Sequence, residues 1–519
     1  MSFRFAGFVG LLILATAFFG LACGGSSSSA NQPIVYDDDD DNDTSPDDDD
    51  DASPADDDAS PADDDASPAD NWVAPWPQSN VEKRDYNENV AAGPLRTKAM
   101  GYDTWYTQWQ SPYYGAAVET YFTDSNRTTP ASYGDQGDST IWTGTYLGAE
   151  AFEYWVTNDA QAKAHAIATV KTLDGHLHVT GKPGFIARFR APIDSLEYPG
   201  DASCDADTSC RKVTSGPYAG DFWYGNTSRD QYTGWFFGMV TAYDLIDDEP
   251  TKQMIVADVT EVVEALIKQG WWIMDTDNLP TTAGPNIMAP MKAEWLLIAY
   301  HMTGADEFKA PLQAILTDKA RIEYELAMID FMNRYTQYYG NNLSHTTWYS
   351  LLRLGKVYFS AADYQWFLKC YDQHETYTRL SHNAWFDGIY MSQGPYTPSG
   401  PPDPYQTQLV DDLTDFVTAP SFEYALAAQT GYTVDPISEL LNTLMTDIPF
   451  LGQIMGTVNV QALYAFPVPQ QCTGGFFWQD NPYSLGPCGN NNPEHTYPGA
   501  DYLVAYWLGE YSKFITKNM

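Results

Sequence analysis

DQYTGWFFGMVTAYDLI, residues 230–246, opens on a carboxylate and then runs for four turns with almost no polar face. A helix that is apolar on all sides belongs in the interior rather than on a surface. Five further stretches have the same character. They begin near Asp138 (DSTIWTGTYLGAEAFEYWV), Pro290 (PMKAEWLLIAYHM), Ser344 (SHTTWYSLLRLG), Asp412 (DLTDFVTAPSFEYALAAQ) and Pro498 (PGADYLVAYWLG). Amphipathic segments follow, among them AQAKAHAIATVKTL, PTKQMIVADVTEVVEALIKQG, ADYQWFLKCYDQ and ISELLNTLM. Proline, Asp or Ser at the fronts and Gly at the backs supply start and stop signals. Six apolar helices, each paired with an amphipathic one, predict an inner ring wrapped by an outer ring.

On this repeat and helix character, with DSTIWTG and SRDQYTGWFFG as the most distinctive strings, the chain from about 100 to 515 resembles the six-hairpin glycosidase-like superfamily. The resemblance implies an all-α fold, an (α/α)6 toroid. Solenoid repeats would be shorter and more even. Long loops precede several inner helices, notably 181–228 and 446–497, and loops of that length in a compact domain usually carry function. Parallel inner helices would gather those loops and their own N-termini on one face, where toroid glycosidases and lyases place their clefts.

Asp230 would stand at the mouth of this ring, where helix dipoles favour negative charge. Asp138 holds the same place on the first inner helix, with Trp142 one turn on, and Tyr232 and Trp235 follow Asp230. His345 and Trp348 open the fourth helix, while Glu494, His495 and Asp501 cluster at the sixth. Glycoside hydrolysis needs two carboxyl groups flanking the scissile bond. The acid/base pair is expected from Asp138, Asp230 and Glu494, and toroid families mostly invert. Arg229, Tyr232, Trp142, His345, Trp348, His382 and His495 are the expected substrate contacts. Helix capping is the competing account of Asp138 and Asp230. Two other functions stay open: a non-catalytic glycan-binding or envelope-building protein, and a polysaccharide lyase with a Tyr or His base.

The N-terminus is a separate matter. Arg4, then FAGFVGLLILATAFFG, then Ala22 before Cys23, resembles the lipobox signal of bacterial lipoproteins. It implies cleavage after residue 22, lipidation of Cys23 and anchoring to the cell envelope; Gly24 is not an acidic retention residue, which by the same resemblance leans toward the outer membrane. Residues 23–70, with 18 aspartates and a recurring ASPADDD, cannot bury a core and read as a solvated tether. The toroid would then occupy 71–519.

The whole chain carries a formal net charge of −42, and no basic patch is visible, which argues against a nucleic-acid partner. Carbohydrate and the membrane are the expected partners. Cys204 with Cys210, and Cys472 with Cys488, read as local disulfides, leaving Cys370 unpaired. No cysteine or histidine spacing suggests zinc, and no cofactor is expected. Calcium at the 201–210 loop, through Asp201, Asp205 and Asp207, is a weak addition. His165, His301 and His374 read as packing or surface residues, and His176 and His178 as lying far from the mouth.

Overall fold

The computed structural model describes residues 90–393, 404–424, 426, 429–448, 457–472, 474–486, 489 and 491–519, all within one compact unit spanning 68–519. Cys23, the tether and Cys488 lie outside the described residues. In chain order the helices begin with α1 (Pro94–Trp105), which runs into a π-helical turn, Tyr106–Gln110. Strands β1 (Glu119–Phe122) and β2 (Pro130–Gly134) precede α2 (Ser139–Thr157) and α3 (Ala160–His178). The next loop holds β3 (Phe189–Pro192), α4 (Asp201–Ala206), β4 (Cys210–Lys212) and β5 (Asp221–Tyr224). Then come α5 (Arg229–Leu245), α6 (Glu249–Lys268), α7 (Ala289–Thr303), α8 (Asp306–Thr317), α9 (Lys319–Tyr335), α10 (Gly340–Tyr358) and α11 (Ala361–Glu375). The C-terminal part contains α12 (Ala384–Gln393), α13 (Pro404–Asp415), β6 (Phe422–Glu423), α14 (Pro436–Asp447), β7 (Asn492–Thr496) and α15 (Ala500–Tyr511). No helix among the described residues is long and apolar enough to cross a membrane.

The apolar helices are buried as their composition demands. Every residue of α2 from Ser139 to Phe152, of α5 from Gln231 to Ala242, and all of α15 are buried. Helix α2 packs on both α5 and α15, α10 packs on α5, α7 and α12, and α12 packs on α15. Amphipathic helices cover them: α3 lies on α2, α6 on α5, α8 and α9 on α7, α11 on α10, α13 on α12 and α1 on α15. Several covering helices start on a side-chain cap: Asp159 accepts from Gln161 N, Asp248 from Thr251 N, and Ser360 from Asp363 N.

The closest helix pair is α2 with α5, and glycine makes it so. A Cβ on Gly234 would stand 2.5 Å from the carbonyl oxygen of Ile141, and one on Gly144 would overlap the Gly234 carbonyl. The glycines of the two distinctive strings are therefore the surfaces on which the two backbones meet.

Four expectations need correction. The fold is mostly helical but not all-α: β2-β1-β7-β6 form one antiparallel sheet and β3-β5-β4 another. The long loops must satisfy their backbone groups, and pairing with one another does so. The apolar stretch read as a helix from Asp412 is instead the end of α13 followed by coil and β6; the buried helix is α12, which starts at AWFDG. The fourth buried helix starts at Gly340 rather than Ser344, which carries His345 down into the core. Among the cysteines, Cys204–Cys210 is a disulfide, while Cys370 is disulfide-bonded rather than unpaired, as is Cys472.

Candidate functional site

A cavity of about 1190 Å³ opens at the N-termini of α2 and α5. Its walls include Asp138, Arg188, Arg229 and Asp230 from the helix starts and the loop before α5. Tyr335, Gln337, Tyr338 and Tyr339 contribute from the turn between α9 and α10, and Asn459, Gln461, Gln479, Asp480 and Asn481 from the segment before β7. Three carboxylates, two guanidiniums, three tyrosines and several amides thus face one space.

Asp138 occupies the N-cap position of α2 yet makes no capping hydrogen bond. The helix's unpaired donors are served elsewhere: Thr140 N donates to the Arg188 carbonyl and Ile141 N to Gln231 Oε1. Gln231 also donates through Nε2 to Asp138 Oδ1 at 2.9 Å, so one amide side chain ties the two helix starts together. Arg188 approaches Asp138 at 3.6 Å while donating to Asn226 O, Gly137 O and Ser228 Oγ. Burial, reinforced by the charge of Asp230, pushes the Asp138 carboxyl up to about 6, although Arg188 and Gln231 pull the other way.

Asp230 lies in the first turn of α5, where Ser228 is the N-cap without a side-chain bond, and its Oδ1 accepts from Gln231 N at 3.0 Å. Arg229 reaches Asn286 only at 3.4 Å, leaving its guanidinium facing the cavity. Tyr339 is half exposed, and its hydroxyl is raised by burial and by the charges of Asp230 and Asp138. Tyr339 therefore shares the cavity wall with both carboxylates. On another wall, Asp480 Oδ2 is buried without a hydrogen-bond partner, and burial beside Asp501 holds its carboxyl far above the usual range. Gln461 is fixed by Arg334 at 2.6 Å, and Arg334 itself stacks on Tyr483.

The remaining expected contacts fall elsewhere. Glu494 is exposed on β7 and does not line the cavity. His495 pairs with Glu119 at 2.6 Å and stacks on Tyr121, within the same sheet. Trp142 is buried against Phe476 and donates to Asp135. The Tyr232 hydroxyl donates to Gly184 O and accepts from Ile186 N in the core. His345 is wholly buried between Tyr371, Thr378 and the Phe386 ring, and burial holds it well below the usual imidazole range. Trp348 packs on Tyr371 and Phe367. His382 is bound to Asp412 at 2.9 Å. None of these side chains lines the cavity.

Sequence reasoning missed Asp480 and the tyrosines at 335–339. Asp480 sits inside GGFFWQDNPY, an aromatic loop string with no helix start to mark its acid. The run YTQYYG, ending at Gly340, carried no periodic signal because it is a turn. His176 also differs from expectation: it touches Thr140 Oγ1 at 2.7 Å, directly behind the start of α2.

In the 201–210 loop, Asp201 and Asp205 pair with Lys212, and Asp207 accepts from Ser209. Among the described residues, two groups of acids and histidine elsewhere have metal-compatible spacing: Asp103, Glu150 and His165, and Asp174, His178 and Asp258. No protein-family model matches the chain, and neither does any curated protein or solved structure.

Proposed function

We propose that the chain acts on carbohydrate as an inverting-type glycoside hydrolase built on an (α/α)6 toroid. The observation that carries this reading is the pairing of Asp138 and Asp230 at adjacent helix starts in one polar cavity, with neither side chain serving as its helix's N-cap. In this reading Asp138, raised to about 6, is the proton donor to the leaving oxygen. Asp230 is the base that activates water. Tyr339 offers a ring face to the sugar, and Arg229, Gln337, Gln461 and Asn481 offer planar polar groups to its hydroxyls. Packing of the six buried helices on one another, each covered by an amphipathic helix, supports the toroid. The lyase alternative needs a Tyr or His base, and Tyr232 and His345 are buried and hydrogen-bonded away from the cavity.

The test is a polysaccharide panel scored for new reducing ends and for unsaturated products. Asp138→Asn and Asp230→Asn should each remove at least ~10²-fold of the turnover expected from a general acid or base, while Glu494→Gln should leave it unchanged. Unsaturated products would overturn hydrolysis in favour of a lyase. Saturable binding without turnover in any panel member would leave the cavity a glycan-binding cleft.

The envelope location belongs to the same proposal. Lipid attachment at Cys23 and a long acidic spacer would hold the cavity away from the membrane and within reach of an external polymer.

A further inference from the structure

Three turns down α2 from the cavity, about 18 Å along the helix from Asp138, a second group of polar side chains meets between α1, α2 and α3. Glu150 of α2 is 0 % exposed, and neither of its carboxylate oxygens takes part in a hydrogen bond. A charged carboxylate at that depth costs several kcal/mol unless a cation faces it, and His165 Nδ1 at 3.3 Å is the partner within the chain. Asp103 of α1 and His165 of α3 face it, and each is about one-fifth exposed, so the site has an opening to solvent.

The geometry around His165 Nδ1 is unlike that of an ordinary ion pair. Glu150 Oε2 lies 3.3 Å away, Tyr146 Oη 3.4 Å and Asp103 Oδ1 3.6 Å. One ring nitrogen carries at most one proton, and a charged hydrogen bond closes to about 2.7–2.9 Å. Three oxygens standing off at greater distances share no such bond. They match a different arrangement. Ligand atoms held about 2.1 Å from a common ion at the tetrahedral angle lie roughly 3.4 Å from one another. The Asp103, Glu150 and His165 ligand atoms all lie within 4.8 Å of one another. The Tyr146 hydroxyl donates to Asp103 Oδ1 at 2.8 Å, the same oxygen that faces His165, and so fixes where that oxygen stands.

We propose that Asp103, Glu150 and His165 form a divalent transition-metal site, liganded through Asp103 Oδ1, Glu150 Oε2 and His165 Nδ1 and completed by water. An imidazole with two carboxylates suits Zn²⁺ or Mn²⁺ better than Ca²⁺ or Mg²⁺, which prefer all-oxygen shells. The ion would tie the buried α2 to α1 and α3, so its role is to hold the scaffold rather than to act in the cavity. The second group is a poorer site, because His178 Nδ1 is already engaged with the Asp174 carbonyl at 2.9 Å.

The experiment titrates the full chain, stripped of metal, with Zn²⁺ and separately with Co²⁺. Wild type should bind one Zn²⁺ tightly, gain thermal stability on doing so, and give Co²⁺ visible bands distinct from the hexaaquo ion. Affinity at this site should fall by at least ~10–100-fold in His165→Asn and Glu150→Gln, and Asp174→Asn should change nothing. The Asp-rich tether will collect cations weakly in all of these chains, so only the difference between them is read. Equal affinity and stoichiometry in wild type, His165→Asn and Glu150→Gln would overturn the site. Should both variants fail to fold, the wild-type Co²⁺ spectrum decides, since an aquo-ion spectrum also overturns it.

Discussion

Replacing Asp138 by Asn separates the cavity reading from the capping reading, because the two give opposite signs of stability change. In the folded chain the carboxyl is raised from 3.8 to about 6 by burial and by Asp230. Fully converted, that rise is ~3 kcal/mol of cost to the charged form. The side chain is 36 % exposed, so solvent screens part of it and roughly 1–2 kcal/mol remains. The sign follows from proton binding. Below about pH 4 the carboxyl is protonated in both folded and unfolded chains and costs nothing. Between about pH 4 and 6 the folded chain holds the proton more tightly, so wild-type stability falls as pH rises, and above about 6 the whole cost is present. Asn keeps an oxygen for Gln231 Nε2 and carries no charge. The variant should therefore match wild type near pH 4 and exceed it by roughly 1–2 kcal/mol at pH 7–8, while losing turnover. Urea unfolding across pH 4–8, run beside the reducing-end assay, measures both. A variant less stable than wild type by ~0.5–2 kcal/mol at every pH would be the signature of a lost cap, and the argument for Asp138 as a poised acid would fail.

Three further outcomes are expected. Gly234→Ala should lower stability by ~3 kcal/mol or more and abolish turnover, because the new Cβ meets the Ile141 carbonyl and must push α2 from α5; calorimetry beside the same assay checks it. Arg353→Met should cost ~3–5 kcal/mol, since Arg353 sits 2.6 Å from Asp244 in a fully buried group shared with His301; chemical denaturation reads this directly. Cys23→Ser should abolish incorporation of labelled fatty acid and release the chain from the membrane fraction, and unchanged labelling would refute the lipobox resemblance.

Much of the fold was legible because it depends on composition averaged over many residues. Helices apolar on every side, such as 230–246, have nowhere to go but the interior, and their charged partners have to lie outside. That the glycines at 144 and 234 are where two helices touch was visible only in the structure. What failed were judgements resting on phase and on single boundaries. Starting α10 at Gly340 instead of Ser344 adds a full turn before His345 and turns it from the mouth into the core. At residue 412 an apolar run continued past the end of a helix, and only backbone pairing with β7 made part of it a strand.

The candidate site shows the same division. Sequence alone determined that carboxylates would stand at the starts of buried helices, because the residue types and their order are local facts. Whether such a carboxylate caps its helix or faces a cavity depends on who else serves the helix's free N–H groups. For Asp138 that was decided by the Arg188 carbonyl and the Gln231 amide, brought from distant parts of the chain. Asp480, Tyr339 and the group around Glu150 come together only through packing between segments far apart in sequence, and no local pattern records that.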